Sequence, residues 1–221
     1  MRLGALCLVS AALAEIPGLI FRGPLASPAR APGWFIEVSV SPKLHVGWVL
    51  LLTGAMLQCF GWLAVYRWRR DSSQESWAFW GMVLSITAII AFLPVSGALG
   101  FTAHEAALAE AAGARGAVAL VAATAEGPVA RIFLIVSVLT GLIAIVLWSG
   151  VLWRVPSLAR WVVPLLILHT VTQSITAPIL PPWGYRLERL GALGFAVACA
   201  AIAVRIWRDA ALDRTHSIGA A

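Results

Sequence analysis

Apolar residues along this chain are gathered into long runs that short polar segments separate. Six of these runs contain about twenty residues or more. A helix of that length, rising 1.5 Å per residue, crosses about 30 Å of hydrocarbon. We predict spans over 3–21, 44–66, 77–100, 129–153, 161–180 and 187–206. The pattern therefore predicts an all-α, polytopic membrane bundle of six transmembrane helices, with the whole chain, 1–221, forming a single integral membrane domain.

The composition agrees with a membrane protein. Hydrophobic residues make up 61% of the 221 residues and charged residues only 12%, and the mean hydropathy is +0.89. Soluble domains are close to half apolar and a quarter charged. The net charge of +6 comes from arginines dispersed at the ends of apolar runs rather than gathered on one polar face. We interpret them as topology signals and contacts to lipid headgroups, and we exclude nucleic acid as a partner.

Tryptophan and arginine occur together where the second, fourth and sixth runs end, in YRWRRD, VLWRVPS and RIWRD. Aromatic anchoring and the excess of basic residues in cytoplasmic loops place these ends, and both termini, in the cytoplasm. We predict a location in the plasma membrane, of the bacterial inner type. The opening MRLGALCLVSAALA also has the basic start and small-residue ending of a cleavable signal peptide. We favour an uncleaved first helix, with five spans and an outside N-terminus as the alternative.

Two longer connections lie on the predicted outer side. Residues 22–43 contain four prolines, which argue against a helix, and the alternation in 34–41 predicts a short extended segment on the membrane face. Residues 102–127 are rich in alanine, with acidic residues early, as a helix start prefers. The uncharged part, 116–125, is too short to span a membrane. We therefore predict an amphipathic helix in this third connection, covering the bundle.

A run of polar residues, HTVTQSITAP, interrupts the fifth apolar segment directly after WVVPLLIL. Four of them share the spacing i, i+3, i+4 and i+7, which puts them on one face of a helix. We call this set the polar stripe: His169, Thr172, Gln173 and Thr176. Thr170 and Ser174 point elsewhere and are predicted to bond back to carbonyls of their own helix. Because polar groups in hydrocarbon need partners, the polar stripe should face other helices or a cavity.

Glu15 is the carboxylate that we place deepest within a span. Counted at 1.5 Å per residue, Glu15 and Gln173 both lie about 18 Å from the same membrane boundary. Ionisable groups at such depth are costly and usually functional. We predict that Glu15 and the polar stripe line a cavity that opens outward, that Arg131 lies near its outer end, and that Glu15 and His169 form a proton-exchanging pair.

Three other residues enter this picture. Pro94 and Ser96 are expected to break the third helix in the outer half of the bundle, at a level similar to that of Arg131. Gln58 lies toward the inner side of the second helix and is left out of the predicted site.

No local motif indicates a metal or a cofactor. A bis-histidine haem needs two histidines at one depth, but His45 lies near the outer boundary and His169 about 15 Å lower. The sequence contains no HExxH, GxSxG, CxxC or phosphate-binding glycine loop, and Cys7, Cys59 and Cys199 lie in apolar runs. His104 and Glu105 are adjacent, so they cannot form a metal-binding helical face unaided. We predict no metal and no cofactor, and an enzyme is disfavoured.

Three hypotheses for function remain. The first is a membrane protein that binds or transports a small molecule or a lipid through the outward-facing polar cavity. The second is an accessory subunit, whose polar residues only fasten helices and whose partner is another membrane protein. The third is an intramembrane enzyme with His169 as acid or base. Membrane lipids are partners in all three.

Overall fold

The computed structural model describes residues 1–24, 27–176 and 183–218, with side chains described as far as Leu212 except that of Thr176. These residues form eight α-helices, and the seventh continues into a π-helical turn. The helices are α1 (Arg2–Arg22), α2 (Pro32–Ser39), α3 (Lys43–Arg69), α4 (Glu75–Ala111), α5 (Ala117–Ala125), α6 (Pro128–Trp153), α7 (Val162–Val171, followed by the π turn Thr172–Thr176) and α8 (Trp183–Ile218).

Five helices in the described part of the chain are long and apolar enough to cross a membrane. They are α1, α3, α4, α6 and the part of α8 that ends at Leu212. The predicted all-helical bundle is therefore confirmed. The predicted span 161–180 corresponds to α7 and its π turn, a shorter apolar segment of at most about 22 Å at 1.5 Å per residue. Its last four residues, 177–180, lie outside the described residues.

The five long helices and α7 form a closed ring. The helices α1, α3, α4, α6, α7 and α8 pack against one another in that order, and α8 packs back against α1. Glycines allow α1 and α3 to approach closely. A Cβ atom at Gly61 would lie 2.8 Å from the Leu8 side chain, and one at Gly47 would overlap the backbone nitrogen of Arg22. Small residues at a helix interface are typical of packing in membranes, where close backbone approach supplies the attraction.

The two ends of the ring differ. The α2–α5 face is the end where the short helices α2 and α5 lie, and Phe35 of α2 and Val118 of α5 belong to one buried cluster with Leu44. The other end is filled by a larger apolar core, which includes Leu8 and Ile202. Large apolar side chains on α6 are exposed on the outside of the bundle, where acyl chains would contact them.

Two local predictions are wrong. The segment predicted to be extended, 34–41, lies mostly within helix α2. Pro32 is the first residue of that helix. A backbone N–H at this position has no partner within a helix, so proline is tolerated there and begins the helix. Pro94 does not break the third helix, because α4 continues past it to Ala111.

The third connection is helical in two pieces. Its first part extends α4, and its second part is the separate helix α5. Gly113 and Gly116 lie between them with φ of +96° and +93°, a conformation that residues with a Cβ rarely adopt. The amphipathic character of this connection stays a prediction.

Candidate functional site

A cavity of about 640 Å³ lies within the ring of long helices. It extends from Trp34 at the α2–α5 face to Trp62 and Trp148 in the interior. All six ring helices contribute to its wall. The apolar part of that wall includes Leu19, Trp48, Leu51, Ile89, Phe92, Val95, Leu99, Leu134, Val138, Ile145, Leu166 and Phe195. The cavity is therefore mainly apolar, with polar side chains at a few positions.

An aromatic pair closes the inner end of the cavity. The rings of Trp62 and Trp148 stack with their centroids 5.1 Å apart and their planes at 22°. The Nε1–H of Trp148 donates a hydrogen bond to Oγ of Ser85 at 3.1 Å. Since these side chains come from α3, α6 and α4, the base of the cavity also joins three helices.

Glu15 and His169 meet at the cavity wall. Oε1 of Glu15 lies 3.6 Å from Nδ1 of His169, and the residues are only 5% and 6% exposed. This separation is too long for a hydrogen bond. Within the described part of the chain neither atom has a hydrogen-bond partner, and the same is true of Oγ of Ser96, which also lines the cavity. The His169 ring is held by stacking on Phe195, with centroids 4.2 Å apart.

The polar stripe is divided by the structure. His169 and Gln173 line the cavity. Thr172 instead packs against Gly191 of α8, and its hydroxyl donates to the carbonyl oxygen of His169 at 3.0 Å. The side chain of Thr176 lies outside the described residues. The prediction that one α-helical face carries all four side chains is therefore wrong for Thr172.

Thr170 and Ser174 line the cavity, although the sequence spacing directed both of them away from it. The hydroxyl of Thr170 does bond back to the carbonyl of Leu166 at 3.0 Å, as predicted. The helix changes at Thr172 into a π turn, in which hydrogen bonds join residues five apart rather than four. The cavity-lining residues nevertheless keep the α-helical spacing i, i+3, i+4, i+7 and i+8, since they are Leu166, His169, Thr170, Gln173 and Ser174. The cavity therefore faces the side of the segment that carries Thr170 and Ser174, and the sequence prediction chose the neighbouring side with Thr172.

Two further placements differ from the predictions. Arg131 is exposed and does not line the cavity; its Nε–H donates to the carbonyl of Glu126 at 2.9 Å. Gln58, which was left out of the site, does line the cavity.

Sequence reasoning missed a buried ion pair in the same wall. Nη2 of Arg22 donates to Oε2 of Glu188 at 2.7 Å, and the guanidinium lies 5.5 Å from the ring centre of Trp48. Arg22 ends the first apolar run and Glu188 opens the last one. Both positions are at the predicted outer ends of their helices, so the sequence indicates that the two residues lie at a similar depth. It does not reveal that α1 and α8 are neighbours.

No protein-family model matches this chain, and no match is found among curated proteins or solved structures. The functional argument therefore rests on the cavity and on the residues in its wall.

Proposed function

We propose that this protein is an integral membrane protein that binds a small molecule or a lipid in the cavity, with the ligand's polar group between Glu15 and His169. The observation that carries this proposal is the pair of buried, unpartnered atoms 3.6 Å apart at the cavity wall. A buried polar atom without a partner costs about 1–3 kcal/mol. A ligand hydroxyl that reaches both atoms from the cavity, after a small rotation of either side chain, could bond to both and recover that energy.

The wall indicates the chemistry of the ligand. Its apolar side chains suit a hydrocarbon body, and Glu15 and His169 suit a hydroxyl, which can donate to a carboxylate and bond to an imidazole nitrogen at once. The buried guanidinium of Arg22 is already paired with Glu188, so it is not free to hold an anionic headgroup. We therefore expect an uncharged, mainly apolar molecule with a hydroxyl group. The volume of about 640 Å³ falls within the usual range of about 300–1,000 Å³ for ligand cavities.

We further propose the membrane arrangement that the sequence predicts. Helix α7, its π turn and the residues after it would complete a sixth span, and the connection with α5 would form an amphipathic cap. The guanidinium of Arg2 lies 5.1 Å from the ring centre of Trp207, which supports placing the start of α1 and the later part of α8 on one side. We assign that side to the cytoplasm of a bacterial inner membrane, so that the α2–α5 face points outward.

An intramembrane enzyme with His169 as acid or base is a second candidate, favoured by the same proximity of Glu15 and His169. A carboxylate beside an imidazole is a common arrangement for proton transfer. The two candidates differ in outcome, because an enzyme alters the bound molecule and a binding protein releases it unchanged.

The test is native mass spectrometry of the full chain, released from a mild detergent, followed by lipidomics of the extracted material. We expect a non-covalent adduct of one apolar, hydroxyl-bearing molecule per chain. Chemical change of that molecule during incubation would favour the enzyme. A chain that carries no such adduct, and binds none when hydroxyl-bearing lipids such as diacylglycerol are added, would contradict the proposal and favour an accessory subunit.

A further inference from the structure

Three side chains that could bind a metal converge at the α2–α5 face, and none of them lines the cavity. His45 lies in the first turn of α3, and His104 and Glu105 lie near the end of α4. One ligand atom from each residue lies within 4.8 Å of the others. The rings of His45 and His104 are 4.9 Å apart, with their planes at 74°. His104 and Glu105 alone cannot form a metal site, and the structure supplies a third ligand, His45 of α3.

The hydrogen bond of His104 prepares this ring for a metal. Its Nδ1 lies 2.7 Å from the carbonyl oxygen of Ser39, in a buried setting. A carbonyl only accepts, so Nδ1 carries a proton, and in the neutral imidazole the lone pair is then on Nε2. A metal-binding histidine nearly always donates its second nitrogen in this way, which fixes the tautomer and the direction of the ring. The local geometry is therefore that of a ligand held in place before the metal arrives.

We propose that His45, His104 and Glu105 bind a divalent transition-metal ion, zinc in the first place. Two imidazoles and one carboxylate are a ligand set that zinc uses, with nitrogen and oxygen atoms about 2.0–2.2 Å from the metal. In a tetrahedral site two such atoms lie about 3.3–3.6 Å apart. The three ligand atoms lie within 4.8 Å of one another, so metal binding would draw them together by up to about 1.5 Å, with the exposed Glu105 side chain free to rotate. Magnesium and calcium are poor candidates because they prefer sites made wholly of oxygen atoms.

The ion would join three elements at this face. His45 and Glu105 connect α3 with α4, and His104 reaches α2 through Ser39. Since the exposed side of Glu105 admits solvent, a water molecule would complete a tetrahedral site. Zinc binding would therefore stabilise the folded chain, because a ligand that binds only the folded state shifts the unfolding equilibrium.

The test uses the full chain without a polyhistidine tag, treated with a chelator and then dialysed. Zinc is the probe, measured by bound metal per chain and by the thermal unfolding temperature. We expect one zinc ion per chain and an unfolding temperature raised by about 2–4 °C in excess zinc. Because the Glu105 side chain is exposed, Glu105→Gln should leave folding unaffected, and we expect it to weaken zinc binding at least tenfold. We expect His45→Ala to abolish zinc binding.

Glu37→Gln is the matched control, since Glu37 is an exposed carboxylate of α2 outside the cluster. It should bind zinc as the natural chain does. The proposal is overturned if the natural chain takes up no zinc, or if Glu105→Gln and His45→Ala both bind zinc with unchanged affinity, which would place the metal elsewhere.

Discussion

Nη2 of Arg22 lies 2.7 Å from Oε2 of Glu188, and the two side chains are each 4% exposed. The pair joins the end of α1 to the start of α8 and so helps to close the ring. It also neutralises the one guanidinium that is buried in the described part of the cavity wall.

Breaking this pair should destabilise the protein strongly. In Glu188→Gln the Arg22 charge stays buried without a counter-charge, and we expect the free energy of unfolding to fall by about 3–5 kcal/mol. Denaturant unfolding in detergent micelles measures this loss. The control is Asp209→Asn, in the partly exposed pair with Arg205. Asparagine keeps an oxygen that can accept the hydrogen bond from Nε1 of Trp68, and we expect a loss below about 1 kcal/mol. Equal losses in the two variants would show that the buried pair has no special role.

Close packing of α1 on α3 should make one glycine intolerant of substitution. A Cβ at Gly47 would overlap backbone atoms of Arg22, so Gly47→Ala must push the two helices apart. We expect a loss of about 3 kcal/mol in the free energy of unfolding. Gly33→Ala is the matched control, because nothing lies within 4 Å of its Cβ position in α2. There the better helix propensity of alanine should stabilise the chain by up to about 1 kcal/mol. Equal effects at both positions would argue against this interface.

Filling the cavity should abolish ligand retention without unfolding the chain. A Cβ at Gly141 contacts only the Ala88 side chain, at 3.7 Å, so the rest of a leucine at this position would extend into the cavity. We expect Gly141→Leu to lose the adduct seen by native mass spectrometry. Gly97→Leu introduces the same side chain in α4 outside the cavity, where the nearest atom belongs to Phe101 at 3.9 Å. Its adduct should be retained, and loss in both variants would contradict a specific site.

Much of the fold could be predicted from the pattern of apolar runs, because a helix that faces lipid must be apolar for its whole length. Counting 1.5 Å per residue placed Glu15 at the level of Gln173 in the polar stripe, and the structure brings Glu15 to 3.6 Å from His169, four residues before Gln173. Helix α2 could not be predicted in this way, since the prolines around it suggested its absence. Pro32 in fact begins it.

The details of the site required the tertiary structure. Which side of α7 and its π turn faces the cavity depends on how this segment packs against its neighbours, and it is the side with Thr170 and Ser174 rather than Thr172. The Arg22–Glu188 pair and the meeting of His45 with His104 likewise depend on which helices are adjacent. One sequence does not specify those neighbours, because every long helix presents small and apolar residues to the others.

The most direct test of the central claim measures ligand retention in variants of the two unpartnered residues. Glu15→Leu and His169→Phe keep approximate size and remove the polar atoms, so the chain should stay folded. We predict that each variant retains at least tenfold less ligand by native mass spectrometry, as expected for the loss of about 1.5–3 kcal/mol of hydrogen bonding. Thr170→Val is the control, because the Thr170 hydroxyl bonds to its own helix and should not be needed. Undiminished retention in both Glu15→Leu and His169→Phe, with all chains folded, would contradict the account.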